Sequence, residues 1–373
     1  MAGIYLHIPF CKQACTYCNF HFSTSLRSKD ELVKALAREA ELEKEYLKAE
    51  IIKSIYFGGG TPSILEISDL RYLISNLLKH YRVSSDAEIT LEVNPDDINP
   101  DKLGAWQTLG INRLSIGVQS FFEDELMWMN RAHNAQQAIN SLEQARRIFN
   151  NITIDLIYGS PLLSDEMWMR TIERASDLCI PHLSCYALTV EEKTPLHKLI
   201  TTHRAPDVDN EKQARQFLIL MQLLKAKDYE HYEVSNFARP GFRSRHNSSY
   251  WKGEKYLGLG PSAHSYNGEH RRWNIANNNV YIKYIRDGCF QRETEMLTPT
   301  QRLNEYIMIS LRTMEGMDLN KVGDEFGTRE KERIKNEIQK FILQGLIRNN
   351  NSIFQLTDEG MLRADGIASE LFA

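Results

Sequence analysis

The chain has 373 residues, 42% of them hydrophobic and 25% charged, and a net charge of −4 at pH 7. That is enough apolar material for one large domain and a smaller one. It offers no clustered basic face for nucleic acid and no apolar run of the roughly 18 residues an integral membrane segment needs. The start of the chain, Met1 to Leu6, shows no secretory pattern, and six cysteines with three clustered do not resemble a disulfide framework. Both observations predict a reducing, cytoplasmic setting.

A strand is expected over residues 3–8, and Cys11, Cys15 and Cys18 follow it in a C-x3-C-x2-C loop. Thiolates this close can converge on one metal centre, and no fourth cysteine follows within the next hundred residues. Two readings stand side by side. One is a structural zinc with His21 as fourth ligand. The other is a 4Fe–4S cluster with one iron open to a small molecule; a ferredoxin-type cluster would need four cysteines in another spacing.

A helix over residues 30–49 follows, opened by Ser28 and Glu31 as a capping box. The next strand, 54–57, leads into Gly58-Gly59-Gly60-Thr61-Pro62, which is neither a dinucleotide fingerprint nor a P-loop. Adjacent glycines after a strand let backbone approach a ligand closely; a plain tight turn is the alternative. Further strands over 88–93, 113–118, 152–158 and 182–188 alternate with helices over 68–81, 100–109, 134–149 and 164–179.

Six strand–helix repeats predict a parallel sheet wound as a partial (β/α)6, TIM-like barrel. The chemically distinctive residues fall at strand ends: the cysteine loop, the glycines, Glu92, Gln119 and Ala187, with Asp155 inside the fifth strand. Barrel enzymes build their sites on that face. Met127-Trp128-Met129 reads as packing, as do the isolated Cys179, Cys185 and Cys289. Cys185, beside Tyr186, is the one of these that could face the lumen.

Beyond about Thr189 the repeat breaks into a helix over 209–227 and an aromatic, Gly- and Asn-rich stretch through Asn279. Helices over 301–313 and 329–344, a turn at Asn349-Asn350-Asn351 and a strand over 353–356 predict a winged-helix-like module. From Asp318 onward, 8 Lys and Arg face 10 Asp and Glu, a net of −2, so it reads as a packing or docking module. The expected division is a core barrel over 1–235, a His- and aromatic-rich connection over 236–297, and the C-terminal module over 298–373.

The cysteine triplet with Tyr17 before its last member, together with Gly-Gly-Gly-Thr-Pro, resembles the radical S-adenosylmethionine (SAM) superfamily. The runs from Tyr5 to Cys11, Leu91 to Pro95, Gly117 to Ser120, Asn130 to His133 and Asp155 to Gly159 narrow the likeness to the oxygen-independent coproporphyrinogen III oxidase-like family. The resemblance implies a 4Fe–4S cluster on Cys11, Cys15 and Cys18, with SAM on its open iron. It implies SAM contacts from Tyr5, Tyr17, Gly59, Gly60, Thr61, Glu92, Gln119, Arg131, Asp155 and Ala187, and an electron donor such as a flavodoxin or ferredoxin. Taken singly, each of these residues reads as an ordinary rim contact; their shared placement favours a site.

Two departures point to the haem chaperone branch of that family. Phe20 stands where the oxidases carry a further cysteine, and the chain starts almost at the first strand. The signature from His246 to Trp251 fits the same branch. It implies haem as cargo, handed to a haem-acceptor protein, with His246, Tyr250 and Trp251 as candidate contacts and His264 as a competing ligand. A structural loop is the plainer reading of that signature, and SAM-dependent coproporphyrinogen III oxidation is the alternative activity. Ser160, between Gly159 and Pro161, departs from the family pattern and receives no role.

Overall fold

The computed structural model describes residues 2–48 and 50–373. Alternating strands and helices run β1 (Ala2–Ile8), α1 (Lys29–Leu42), β2 (Ile52–Gly59), α2 (Ile67–His80), β3 (Val83–Val93), α3 (Pro100–Thr108) and β4 (Arg113–Gln119). They continue with α4 (Glu123–Trp128), α5 (Ala135–Arg146), β5 (Ile152–Tyr158), α6 (Asp165–Asp177) and β6 (His182–Ala187). The six strands pair in parallel in sequence order, as the predicted partial barrel requires.

Strand alternation explains the two faces. Ile4, Leu6, Ile8, Ile55, Phe57, Leu91, Leu114, Ile116, Ile154 and Leu183 are buried in one continuous core. The alternate positions point into the lumen and are polar or aromatic: Tyr5 and His7, Ser54 and Tyr56, Glu88 and Glu92, Arg113, Asp155, His182 and Ser184. Cys185 belongs to the outer set and lies in the core, not in the lumen. Its neighbours Ser184 and Tyr186 take the inward register.

After α7 (Pro195–Thr201) and α8 (Asn210–Ala226), short strands β7 (Glu230–Glu233) and β8 (Asn236–Ala238) extend the sheet antiparallel beyond β6. Helix α9 (Arg245–Trp251) comes next, then β9 (Lys255–Leu259), which pairs in parallel with β1. Strands β10 (His264–Tyr266) and β11 (His270–Asn274) follow, then helix α10 (Asn278–Arg286) and strand β12 (Arg292–Met296). Five strands, β8 to β12, therefore fall within the expected connection over 236–297, and the sheet reaches twelve strands.

The C-terminal part has α11 (Pro299–Leu311), β13 (Met317–Asp318), α12 (Leu319–Phe326), α13 (Thr328–Glu337) and α14 (Gln339–Leu343). Strands β14 (Ile347–Asn350) and β15 (Ile353–Leu356) then form a hairpin in a three-stranded sheet, ahead of α15 (Asp358–Met361) and α16 (Ala364–Glu370). The single helix expected over 329–344 is split at Ile338. Helix α1 ends at Leu42, short of the expected stop at Ala49, which lies with Met1 outside the described residues. Ser28 does stand at its N-cap, but its side chain caps nothing, so the expected box is absent. Its backbone is not extended (ψ 13°). Among the described residues, no helix is long and apolar enough to cross a membrane.

Candidate functional site

The loop after β1 is closed at its neck. Cys11 N–H donates to the Ser23 carbonyl at 3.0 Å, and Ser23 N–H donates to Pro9 at 2.8 Å. Within the loop, Thr16 N–H is bonded to Met129 O and Leu196 N–H to Thr16 O, so α4 and α7 hold it over the barrel mouth. Tyr17 packs against Met129, Ile157, Leu188 and Leu196. The glycine loop lies along the same neck: Gly60 N–H donates to Ile8 O at 2.9 Å and Thr61 N–H to Phe10 O at 2.7 Å. A Cβ on Gly60 would stand 2.6 Å from the Phe10 carbonyl oxygen, so only glycine fits there. Gly59 has φ +108°, and a Cβ there would meet the His7 ring at 2.7 Å.

A guanidinium ties these pieces together. Arg131 donates to Asn94 Oδ1 at 2.8 Å, to Gly117 O at 2.7 Å and to Cys15 Sγ at 3.2 Å. Asn94 donates to Thr61 Oγ1 at 3.2 Å, and Thr61 in turn donates to Cys11 Sγ at 3.6 Å. Among the described residues, Arg131 Nε is buried without a hydrogen-bond partner, a spare donor at the same place. Gln119 closes β4 at φ +66°, where the register with β5 shifts; strain of this kind gathers at functional sites.

At the mouth of the lumen, Glu92 accepts from Tyr56 Oη at 2.8 Å and from Gly59 N–H at 3.2 Å. Burial, with Asp155 adding to it, pushes its carboxyl up to about 7. Burial likewise raises Asp155 to about 6, against the pull of Arg113 and a bond to Ser184. Tyr5 Oη is 3.2 Å from His7 Nδ1, and Ala187 ends β6 at the same mouth. Burial also lifts the Cys11 thiol to about 11.

The strand ends thus bring together Cys11, Cys15, Thr61, Gly59, Gly60, Glu92 and Arg131 through bonds or backbone, with Cys18, Gln119, Asp155 and Ala187 on the same face. The three thiols share one loop but are not gathered on one point: among the described residues, no three His, Cys, Asp or Glu side chains could hold a metal ion as placed. His21, the expected fourth zinc ligand, is bonded instead to Asn278 at 2.7 Å. The donor set still suits a cluster, with three sulfurs, a cation on one of them and a glycine cradle beside them. Asn94, His7 and Tyr56, which sequence reasoning did not single out, contact the candidate residues Arg131, Tyr5 and Glu92. Asn94 directly follows a strand end, and the other two share the inward register with Tyr5, which was the available signal.

His246 lies elsewhere. Helix α9 plugs the opposite, N-terminal opening, its first amides donating to the Glu88 carboxylate at 3.0 and 3.1 Å. His246 is buried, with Nδ1 2.8 Å from Ser54 Oγ and Nε2 2.9 Å from Tyr250 Oη. Both ring nitrogens are therefore engaged. Its ring stacks on Tyr56 at 5.0 Å, the same Tyr56 that donates to Glu92. Ser54 and Gly59 are five positions apart on β2, which puts the two ends about 16 Å apart. Trp251 is partly exposed on the outer side of the plug. His264 is exposed and stacks on Trp273 at 5.6 Å.

Residues 5–175 match the radical SAM superfamily and residues 297–363 the HemN C-terminal domain. The chain is 34% identical to the haem chaperone HemW of Bacillus subtilis, covering 97% of each. It is 32% identical to that of Mycobacterium tuberculosis H37Rv, covering 99% of this chain and 94% of the other. It is also 32% identical to the mitochondrial radical S-adenosyl methionine domain-containing protein 1 of Danio rerio, covering 85% of this chain and 74% of that one. The solved structure of Escherichia coli coproporphyrinogen III oxidase, HemN, superposes with a TM-score of 0.86 over 100% of this chain and 90% of that one. At 23% identity this likeness speaks for the fold alone.

Proposed function

The chain belongs to the radical SAM superfamily, in its HemN-like branch of haem chaperones HemW, and from that premise we propose that it binds haem and hands it to an acceptor protein. In this reading Cys11, Cys15 and Cys18 hold a 4Fe–4S cluster, and SAM lies over the glycine loop. A bound cluster would supply low-potential electrons to SAM. The chain's own residues orient the ligand: Arg131 beside Cys15, Gly59 and Gly60 along its edge, and Glu92 and Asp155 as acceptors for hydroxyls. A flavodoxin- or ferredoxin-like donor and a cytoplasmic location belong to the same proposal; all six cysteines are free thiols.

One observation favours carriage over conversion. The helix with the haem signature closes the barrel at the end away from the cysteine loop, where Ser54 beneath it lies about 16 Å along β2 from Gly59. A cargo held on its outer side is out of reach of radical chemistry at the mouth. His246 serves there by fixing the Tyr250 hydroxyl, and Tyr250 and Trp251 meet the cargo. The test uses anaerobically reconstituted protein. Offered haem, it should bind one equivalent stably; offered coproporphyrinogen III with SAM and a reductant, it should release no protoporphyrinogen. Formation of protoporphyrinogen would overturn the proposal in favour of the oxidase.

A further inference from the structure

A cleft runs between the plug helix and the C-terminal part of the chain. It has two lobes, about 740 and 540 Å³, that meet at Trp251, Lys252, Glu254, Tyr306, Ile309 and Lys321. Both volumes lie in the range of small-molecule sites. One wall carries Tyr250 on α9, Tyr256 on β9 and Tyr266 on β10, with the first two rings edge to face at 4.7 Å. The facing wall is built by α11 and α12, which present Tyr306 and Phe326 as a stacked pair at 6.4 Å. The space between is lined by aromatic faces on both sides, which suits a flat, conjugated ring.

Its charge is just as informative. Lys321 Nζ stands 4.6 Å from the Tyr306 ring centre, and its nearest carboxylate, Glu325, is 3.9 Å away. Arg302 is exposed at the edge of the same lobe. Arg271 is also there, but Glu305 already holds it at 2.7 Å. Lys252 and Glu254 also line this lobe, and Arg302 and Lys321 stand beside its aromatic slot, which matches a planar ligand with carboxylates on its edge.

We propose that the C-terminal domain forms half of the cargo site, with Arg302 and Lys321 pairing with the propionates of haem and Tyr306 covering its ring. This rests on the reading of the chain as a haem carrier and adds to it a role for a domain that the sequence left as a packing or docking module.

The test is a two-by-two titration of the full chain with haem and with haem dimethyl ester, whose propionates are uncharged. The wild type should bind haem about tenfold or more tightly than the ester. The double variant Arg302→Gln, Lys321→Gln should bind both ligands with the affinity of the wild type for the ester. A double variant that still prefers haem as strongly as the wild type would overturn the inference. Both positions are at the surface, and circular dichroism checks that the fold is kept. A wild type that binds neither ligand would refute the carrier reading itself, so the two failures are distinct. Tyr306→Ala, expected to weaken both ligands alike, separates ring contact from charge; affinities unchanged from the wild type would also count against the site.

Discussion

Glu92 and Asp155 sit at the lumen mouth, ringed by protein, and hold their protons to about pH 7 and about pH 6. Their ordinary values are 4.5 and 3.8. The folded state therefore binds more protons than the unfolded chain between these limits. The stability the pair contributes is full below about pH 4 and is lost as pH rises through about 6 and 7. Cluster-free protein should lose on the order of 2 kcal/mol or more of unfolding free energy between pH 4.5 and 8 through this pair. Glu92→Gln should flatten that slope, as read by urea titration at each pH; an unchanged slope would contradict the burial argument. Glu92 was legible as a candidate because it lies next to a strand end, and Asp155 because it is an acid inside an apolar strand. Their raised affinity for protons was not, because it depends on which neighbours the barrel closes around them. Ser28 failed for a related reason: its spacing to Glu31 is right for a capping box, but its backbone is not extended and its side chain makes no cap hydrogen bond.

At the level of elements, the strands were legible because their outward residues are uniformly apolar and packed beneath helices. The extension was harder to see. Strands β7, β8 and β10 have three or four residues each, too few to show a period. Strand β9 joins β1 from some 250 positions away, a pairing no local pattern announces. The loops after β4 and β5 hold another feature that spacing did not reveal. Glu125 is fully buried on α4 and accepts from Ser120 Oγ at 2.6 Å and from Ser160 Oγ. Lys212 on α8 donates to the Ser160 carbonyl at 2.8 Å. Ser160, given no role from sequence, thus joins two loops on the functional face. Ser160→Ala should cost about 1–3 kcal/mol in chemical denaturation, because the buried carboxyl loses one of its two hydroxyl donors. A change below about 0.5 kcal/mol would show that the bond is dispensable.

Across the whole molecule, one barrel carries two ends with different chemistry. The mouth gathers the cysteine loop, the glycine cradle and Arg131, while the base is plugged by α9 and faced by the C-terminal helices. A stacked pair, His246 on Tyr56, and the Tyr56–Glu92 bond join the two ends through the lumen. The placement of the mouth residues was readable from strand ends alone. The base was not, since the helix from His246 to Trp251 becomes a plug only when β2, β3 and β9 surround it.

Everything proposed for the mouth depends on Cys11, Cys15 and Cys18 holding a cubane that keeps one iron free of protein. Mössbauer spectroscopy of anaerobically reconstituted, 57Fe-labelled protein, with and without SAM, tests this most directly. The expected spectrum has a distinct iron site whose parameters move when SAM is added, and Cys15→Ser should lose the cluster signal. A preparation holding zinc without iron or sulfide, or a cluster whose irons are all indifferent to SAM, would contradict it.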